Sequence, residues 1–243
     1  MFLPQQVHHR HCLRDALPNI PLPFSVLCWN VYKKNREDGR FAAFVQSHQA
    51  DLLLFQEANF KSGDACRVDG YSYDAAANIS YKKNNYGVLT ASRAVAEETK
   101  AYLSKYRELF FATHKSLLIS RYRLENGDRL LVVNVHAINF REDRAYVEEK
   151  SRILAFLENY DGALLIAGDF NAWSRSRSKQ LLQTAKRLGM KRVPFGKGDP
   201  VKAVFGNHLD FIFYRKLKLL VHEVPDDGGI SDHRPLFAKF DIL

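Results

Sequence analysis

Apolar residues in this chain fall into short runs broken by polar and glycine-bearing segments, a rhythm of many strands and few helices. The run Ala163-Leu164-Leu165-Ile166-Ala167 leads into Gly168, with Asp169 and Asn171 two residues apart just beyond. It reads as a buried strand with a sharp exit at the glycine, its acid and amide pointing the same way from the tip. An Asx turn closing the strand accounts for the same residues without chemistry. Phe24 to Trp29 is a second such strand, ending at Asn30. Asp51 to Gln56 is a third, finishing on Glu57. Tyr71 to Asp74 and Tyr86 to Ser92 are two more. Lys115 to Leu124 and Arg129 to Val135 flank Glu125-Asn126-Gly127-Asp128 as a hairpin, and His136 closes the second of them. Leu209 to Arg215 starts near Asp210, Leu217 to Val224 follows, and Pro235 to Phe240 comes after Ser231-Asp232-His233.

Helical spacing predicts helices over about 38–48, burying Phe41, Phe44 and Val45, and over about 142–159, with Tyr146, Ile153, Phe156 and Leu157 inward. A third runs from a Ser174 cap to about Leu188, with Leu181, Leu182, Ala185 and Leu188 on one face. Residues 94–114 yield no assignment. Residues 1–23 read as an N-terminal arm, a mobile tail before a single domain over 24–243. A metal site built from His8, His9, His11 and Cys12 is the alternative there.

The polar ends obey a rule. Asn30, Glu57, His136 and Asp169 each follow an apolar strand, whereas Asp210 and the pair Asp232-His233 precede one. If the latter strands run antiparallel to the former, all of these residues share one rim. Several strands are apolar on both faces, so both faces are covered. The expected architecture is an α/β fold, a four-layer α/β/β/α sandwich of two mixed sheets flanked by helices, with a polar cleft along one edge.

That cleft suits phosphoester hydrolysis. Glu57, Asp232 and Asn30 are hard oxygen donors for Mg²⁺, with Mn²⁺ as a substitute, and no Cys/His set has tetrahedral zinc spacing. Asp169 is placed to activate water, and Asn171 and His136 to donate to non-bridging oxygens. His233 is placed to contact the phosphate or position the water, with Asp210 on its other ring nitrogen. Simpler roles remain beside these: Asn30 as a turn residue, Glu57 as a salt-bridged structural acid.

Charge sharpens the choice of substrate. The chain has 36 basic and 27 acidic residues and a formal net charge of +9, a balance that favours polyanions such as nucleic acid or anionic lipid head groups. Tyr81-Lys82-Lys83-Asn84-Asn85-Tyr86 mixes bases with aromatics, which suits stacking and phosphate contact as well as an ordinary exposed loop. Arg175, Arg177 and Lys179 oppose the dipole at a helix start, which hints at an anion nearby or at nothing more than surface. Cys12, Cys28 and Cys66 lack CxxC spacing and read as free thiols. No apolar stretch reaches membrane-spanning length and the start lacks a secretory apolar segment, so a soluble cytoplasmic protein is expected.

Cys28-Trp29-Asn30-Val31, Leu54-Phe55-Gln56-Glu57, Asn134-Val135-His136, Gly168-Asp169-Phe170-Asn171, Leu209-Asp210-Phe211 and Ser231-Asp232-His233 together resemble the endonuclease/exonuclease/phosphatase superfamily, in the family's order. Trp29-Asn30-Val31-Tyr32-Lys33, His136-Ala137-Ile138-Asn139-Phe140 and Gly168-Asp169-Phe170-Asn171-Ala172-Trp173-Ser174 look like its bacterial YafD-like subgroup. The resemblance implies a deoxyribonuclease-like fold and a divalent-metal-dependent phosphoester hydrolase. It puts Asn30 and Glu57 on the metal side, and Asp232 as the carboxylate adjoining the final histidine. Asp169 and Asn171 become the water-activating and phosphate-binding pair. His136 and His233 flank the scissile phosphate, with Asp210 the partner of His233. Many family nucleases carry an acidic residue where this chain has Tyr32, which leaves one metal or two open. The expected activity is a phosphodiesterase or nuclease on DNA or RNA, using in-line attack by an activated water. A phosphatase or phosphodiesterase of phosphoinositide or other phospholipid head groups is the alternative. A non-catalytic nucleic-acid-binding module is the third reading.

Overall fold

The computed structural model describes residues 8–36, 39–61, 69–82, 84–103, 116–136, 154–196 and 198–243. Strands are numbered along the chain. The first sheet runs, edge to edge, β1 (His8–His11), β4 (Ser72–Tyr81), β5 (Asn84–Ser92), β3 (Leu52–Phe60), β2 (Phe24–Asn30), β15 (Leu236–Ile242) and β14 (Leu217–Glu223). The second runs β10 (Lys191–Arg192), β13 (Asp210–Arg215), β9 (Ala163–Asp169), β8 (Arg129–His136), β7 (Ser116–Arg123) and β6 (Glu98–Leu103). A small hairpin of β11 (Ala203–Val204) and β12 (Asn207–His208) stands apart. The neighbours β2 and β3 pair in parallel, as do β8 and β9, while β9 with β13 and β2 with β15 are antiparallel. Both sheets are therefore mixed.

Alternation along single strands separates the layers. Val26, Cys28, Leu52 and Leu54 of the first sheet share one apolar cluster with Leu130, Val132, Leu165, Ala167 and Ile212 of the second. Their neighbours in sequence face outward: Leu27, Trp29, Leu53 and Phe55 pack with Phe41 and Val45 of helix α1 (Gly39–His48). On the far side Leu131, Val133, Leu164, Ile166, Phe211 and Phe213 meet Ala185 of helix α2 (Arg175–Arg187), together with Leu188 and with Leu154 and Leu157 of the helical stretch 154–158. A strand buried on both faces must be apolar at consecutive positions, which is why these runs do not alternate with polar residues. The four-layer sandwich is as expected. No helix among the described residues is long and apolar enough to cross a membrane.

Several expectations change in detail. The stretch from residue 8 is no mobile tail: β1 adds an edge strand to β4, and Ile20 is fully buried between the sheets. The alternative metal site of His8, His9, His11 and Cys12 is not formed: His8 bonds the Asp74 carboxylate at 2.8 Å, beside Arg10 at 2.7 Å. The loop expected between Tyr81 and Tyr86 shrinks to a tight turn, because β4 and β5 extend to Tyr81↔Asn84. Phe156 and Leu182, expected inward, are exposed. The unassigned stretch contains β6. Most of the helix expected over 142–159, with Tyr146 and Ile153, and also Cys66, lie outside the described residues.

Asp74 makes the edge strand testable. Burial alone would raise its pKa, but hydrogen bonds from His8, Arg10 and Thr99 outweigh that and hold it below the usual carboxylate range. A depressed carboxylate stabilises the fold above its unfolded value of 3.8, and the contribution is lost as pH falls through the folded value. Asp74→Ala leaves Arg10 without its bidentate acceptor and is expected to lower the unfolding free energy by about 2 kcal/mol at pH 7. Urea denaturation reads this directly, and the difference between the two proteins should shrink toward pH 3.

Candidate active site

Three adjacent strands of the second sheet place His136 opposite Asp169, and Asp169 opposite Asp210. The antiparallel β13 starts where the parallel pair ends, so residues distant in sequence meet on one rim. Gly168 permits the approach: at φ 147° it packs so tightly that a Cβ would lie 2.0 Å from the Val135 carbonyl oxygen. The glycine is thus a spacer inside the strand, not the exit from it. Gly168→Ala must push β8 and β9 apart at the site and is expected to cost about 1–3 kcal/mol, visible as a lower melting temperature.

Two buried carboxylates directly opposite one another repel. Burial, then the charge of Asp210, raises the pKa of Asp169 to about 7. Its Oδ1 accepts from the Asn171 backbone N–H at 2.9 Å, and its Oδ2 from Asn30 Nδ2 at 3.1 Å. The first of these is the Asx-type turn; turn and site are the same object. Asn171, at φ 47°, leaves the strand alternation, yet its side chain still lines the cleft beside Asp169. Asp169 Oδ2 also lies 3.7 Å from His136 Nε2 and 4.0 Å from His233 Nε2. One acid oxygen therefore faces two imidazoles.

His233 is held from both sides. Its Nδ1 bonds Asp210 Oδ2 at 2.8 Å. Its backbone carbonyl accepts from Trp29 Nε1 at 2.8 Å, and its N–H donates to Ser231 Oγ, which itself donates to the Asn30 carbonyl. Burial would lower its pKa, but Asp210, and after it Asp169 and Asp232, raise it to about 9. The surrounding carboxylates thus favour the charged imidazole of His233 at neutral pH.

Glu57 is not at a strand tip. β3 continues to Phe60 through a bulge between Phe55 and Ala58, and Glu57 sits in it at φ 53°. A bulge redirects one side chain without ending the pairing. Here it turns the carboxylate into the cleft, 3.8 Å from His136 Nε2 and 4.0 Å from Lys33 Nζ. Beneath it Gln56 Nε2 donates to Asn134 Oδ1 at 2.8 Å, a buried amide pair that ties the two sheets together behind the site.

An open cleft of about 400 Å³ is lined by Glu57, His136, Asp169, Asn171, Asp232 and His233. Asn30 stands behind its wall, with its amide carbonyl accepting from Tyr32 N–H and its NH₂ on Asp169. All eight expected residues thus meet at one place, but not in the expected grouping. Among the described residues the close set of possible metal-binding side chains is Asp169, Asp210 and His233, with ligand atoms within 4.8 Å. Asp232, assigned to a metal from the sequence, is exposed and pairs with Lys202 Nζ at 2.9 Å. The cleft also contains Tyr32, Trp173, Lys202 and Phe205, which sequence reasoning did not assign. Arg177, read as a hint of an anion, stacks on Trp173 instead, 5.0 Å from the ring centroid. Among the described residues, four of the eight non-glycine positions with positive φ (Tyr32, Glu57, Asn171 and Phe205) line this cleft, so backbone strain concentrates where the polar groups meet.

Known proteins are similar to this chain in sequence or in fold. A "UPF0294 protein" of Vibrio campbellii is 34% identical over 223 residues, covering 90% of this chain and 77% of its own length. An endonuclease/exonuclease/phosphatase family protein from Leptotrichia buccalis shares the fold with a TM-score of 0.66 at 16% identity, over 90% of this chain and all of that one. The 3′ phosphatase NExo from Neisseria, solved with a product DNA hairpin, does so with a TM-score of 0.62 at 17% identity, over 90% and 99%. The sequence profile of the Endonuclease/Exonuclease/phosphatase family matches residues 27–233, a span that runs from β2 to His233 itself. The chain belongs to that family of divalent-metal-dependent phosphoester hydrolases.

Proposed function

We propose that this protein hydrolyses phosphodiesters in nucleic acid by attack of a water molecule that Asp169 deprotonates. The observation that carries the reading is the meeting of Asp169, His233 and His136 on one open cleft, with Asp169 Oδ2 within 4.0 Å of both imidazoles. A base works best when its pKa lies near the working pH, and Asp169 is raised to about 7. Asn171 and His136 donate to the non-bridging oxygens. His233, protonated and fixed by Asp210, brings a positive donor to the phosphate.

The donor set fits a hard divalent cation. It consists of carboxylates, an amide oxygen and imidazole; of the two cysteines among the described residues, Cys28 is buried in the sheet interface and Cys12 lies in the N-terminal stretch. Glu57, open to the cleft, and Asn30 are the residues we assign to Mg²⁺ or Mn²⁺, joined by Asp232, where the ion competes with Lys202. When bound, the ion supplies charge neutralisation on the phosphate and the leaving oxygen. Glu57→Ala is expected to weaken Mn²⁺ binding measured by calorimetry at least about tenfold, with activity partly restored at high Mg²⁺. Unchanged binding with a lower melting temperature would make Glu57 structural.

Two features support nucleic acid as the substrate. The formal net charge is +9, and the similar NExo structure holds a DNA product. Incubation with single- and double-stranded DNA and RNA, in Mg²⁺ and then in EDTA, tests it. Cleavage in Mg²⁺ alone is the expected result. Metal-dependent release from phosphoinositide head groups with none from any nucleic acid would assign the site to lipids.

A further inference from the structure

The mouth of the cleft has a feature that hydrolysis itself does not require. Among the described residues Tyr32, Tyr81, Phe156 and Phe205 are the large aromatic side chains that stand exposed. Tyr32 and Phe205 line the cleft. Tyr81 is the last residue of β4, at the β4–β5 turn that the β3–β5 register places beyond Glu57 at the same end of the first sheet. Exposed aromatics scattered by chance would not favour one rim.

Phe205 is the extreme case, at 89% exposure. It occupies the turn of the β11–β12 hairpin with Gly206, both at positive φ, 49° and 74°. Glycine or asparagine would relax that backbone, whereas phenylalanine is strained there and gains no burial. Two costs are carried with no packing in return. The hairpin is nonetheless well anchored. Leu209 N–H donates to the Lys202 carbonyl at 3.0 Å, and Asn207 Nδ2 to the Trp173 carbonyl at 3.0 Å. Its base presents the Lys202 ammonium to the cleft, and its tip presents an aromatic face.

We propose that the hairpin from Lys202 to Leu209 is a stacking finger: Phe205 takes the face of an unpaired base next to the scissile phosphate, while Lys202 contacts a phosphate. This rests on the nucleic-acid reading above and narrows it to strands whose bases are accessible at the site. Every base has a π-face, so one fixed ring serves many sequences. The surroundings favour a strand over a bilayer. Tyr32, Tyr81 and Phe205 stand on separate connections and are interspersed with Lys33, Lys82, Lys202, Asn207 and His208, so they offer no continuous apolar face of the kind that holds a membrane. A cation accompanies each of the other two exposed rings on this rim: Lys33 Nζ lies 5.9 Å from the Tyr32 ring centroid, and Lys82 Nζ 5.3 Å from that of Tyr81.

The test is binding of short oligonucleotides by fluorescence anisotropy, in protein carrying Asp169→Asn and in EDTA, so that cleavage is suppressed. Adding Phe205→Ala is expected to raise the Kd for single-stranded DNA about tenfold, and Phe205→Trp to leave it near the starting value. An oligonucleotide with abasic residues should bind about tenfold more weakly than its intact counterpart, and Phe205→Ala should erase that difference. Tight binding of intact DNA that Phe205→Ala does not change overturns the finger and spares the nucleic-acid reading. No binding of any oligonucleotide, with phosphoinositide vesicles bound through Phe205, overturns both.

Discussion

Asp169→Asn is expected to reduce kcat by about 10²–10⁴-fold while leaving the fold intact and somewhat more stable. The two halves have one cause. Asp169 is buried, faces Asp210 across the β9–β13 ladder, and is raised from 3.8 to about 7. Because the folded value lies above the unfolded one, the native state holds this proton more tightly, and stability falls as pH climbs through that window. Asparagine removes the titration and keeps an oxygen for the Asn171 N–H, while its NH₂ faces that of Asn30 and so offsets part of the gain. At pH 8 and without metal the substitution should therefore raise the melting temperature by about 2–4 °C, roughly the effect of 1 kcal/mol in a chain of this size. At pH 4 the gain should vanish. Stopped assays give the rate, and differential scanning calorimetry the stability. A variant that melts well below the wild type would mean that the acid holds the strand tips together, and that its loss of activity reports structure.

Asp210→Asn is the second large effect, and it acts through His233. The carboxylate at 2.8 Å from Nδ1 is the main cause keeping the imidazole charged to about 9 against the pull of burial. Asparagine can still accept the Nδ1 proton, so the ring stays in place while the charge beside it goes. The imidazole of His233 should then titrate far lower, toward 6.5 or below, with NMR of the metal-free protein following the ring proton. Turnover at pH 8 is expected to drop about 10²-fold and to recover partly as pH falls, because His233 is again protonated while Asp169, freed of the Asp210 charge that helps raise it, stays ionised to lower pH. Stability follows the same logic. A raised histidine contributes fully below 6.5 and loses that contribution as pH rises through about 9. The wild type should lose it over that range and Asp210→Asn should not.

The residues that the sequence made legible are those where a polar side chain interrupts an apolar run. His136, Asp169 and Asp210 stand out in this way, and one parallel and one antiparallel pairing bring them together. The layered sandwich was legible for a related reason, since runs apolar at consecutive positions must be covered on both faces. What was hidden depended on partners far along the chain or on backbone that departs from its period. Nothing in the sequence of His8 to His11 announces that Asp74, more than sixty residues on, will hold it as a strand. Glu57 looked like a strand end because periodicity cannot see a bulge, and Asp232 looked like a free ligand because Lys202 is thirty residues away. The Phe205 tip had no signal at all: an aromatic before a glycine is unremarkable until its exposure is known.

The central claim is that water attacks phosphorus within this cleft, and oxygen labelling tests it most directly. Cleavage of a nucleic acid in H₂¹⁸O with Mg²⁺ should place one ¹⁸O on the product phosphate of each broken bond, and EDTA should abolish it. Label in the sugar alcohol, or release that proceeds equally without metal, would contradict the account.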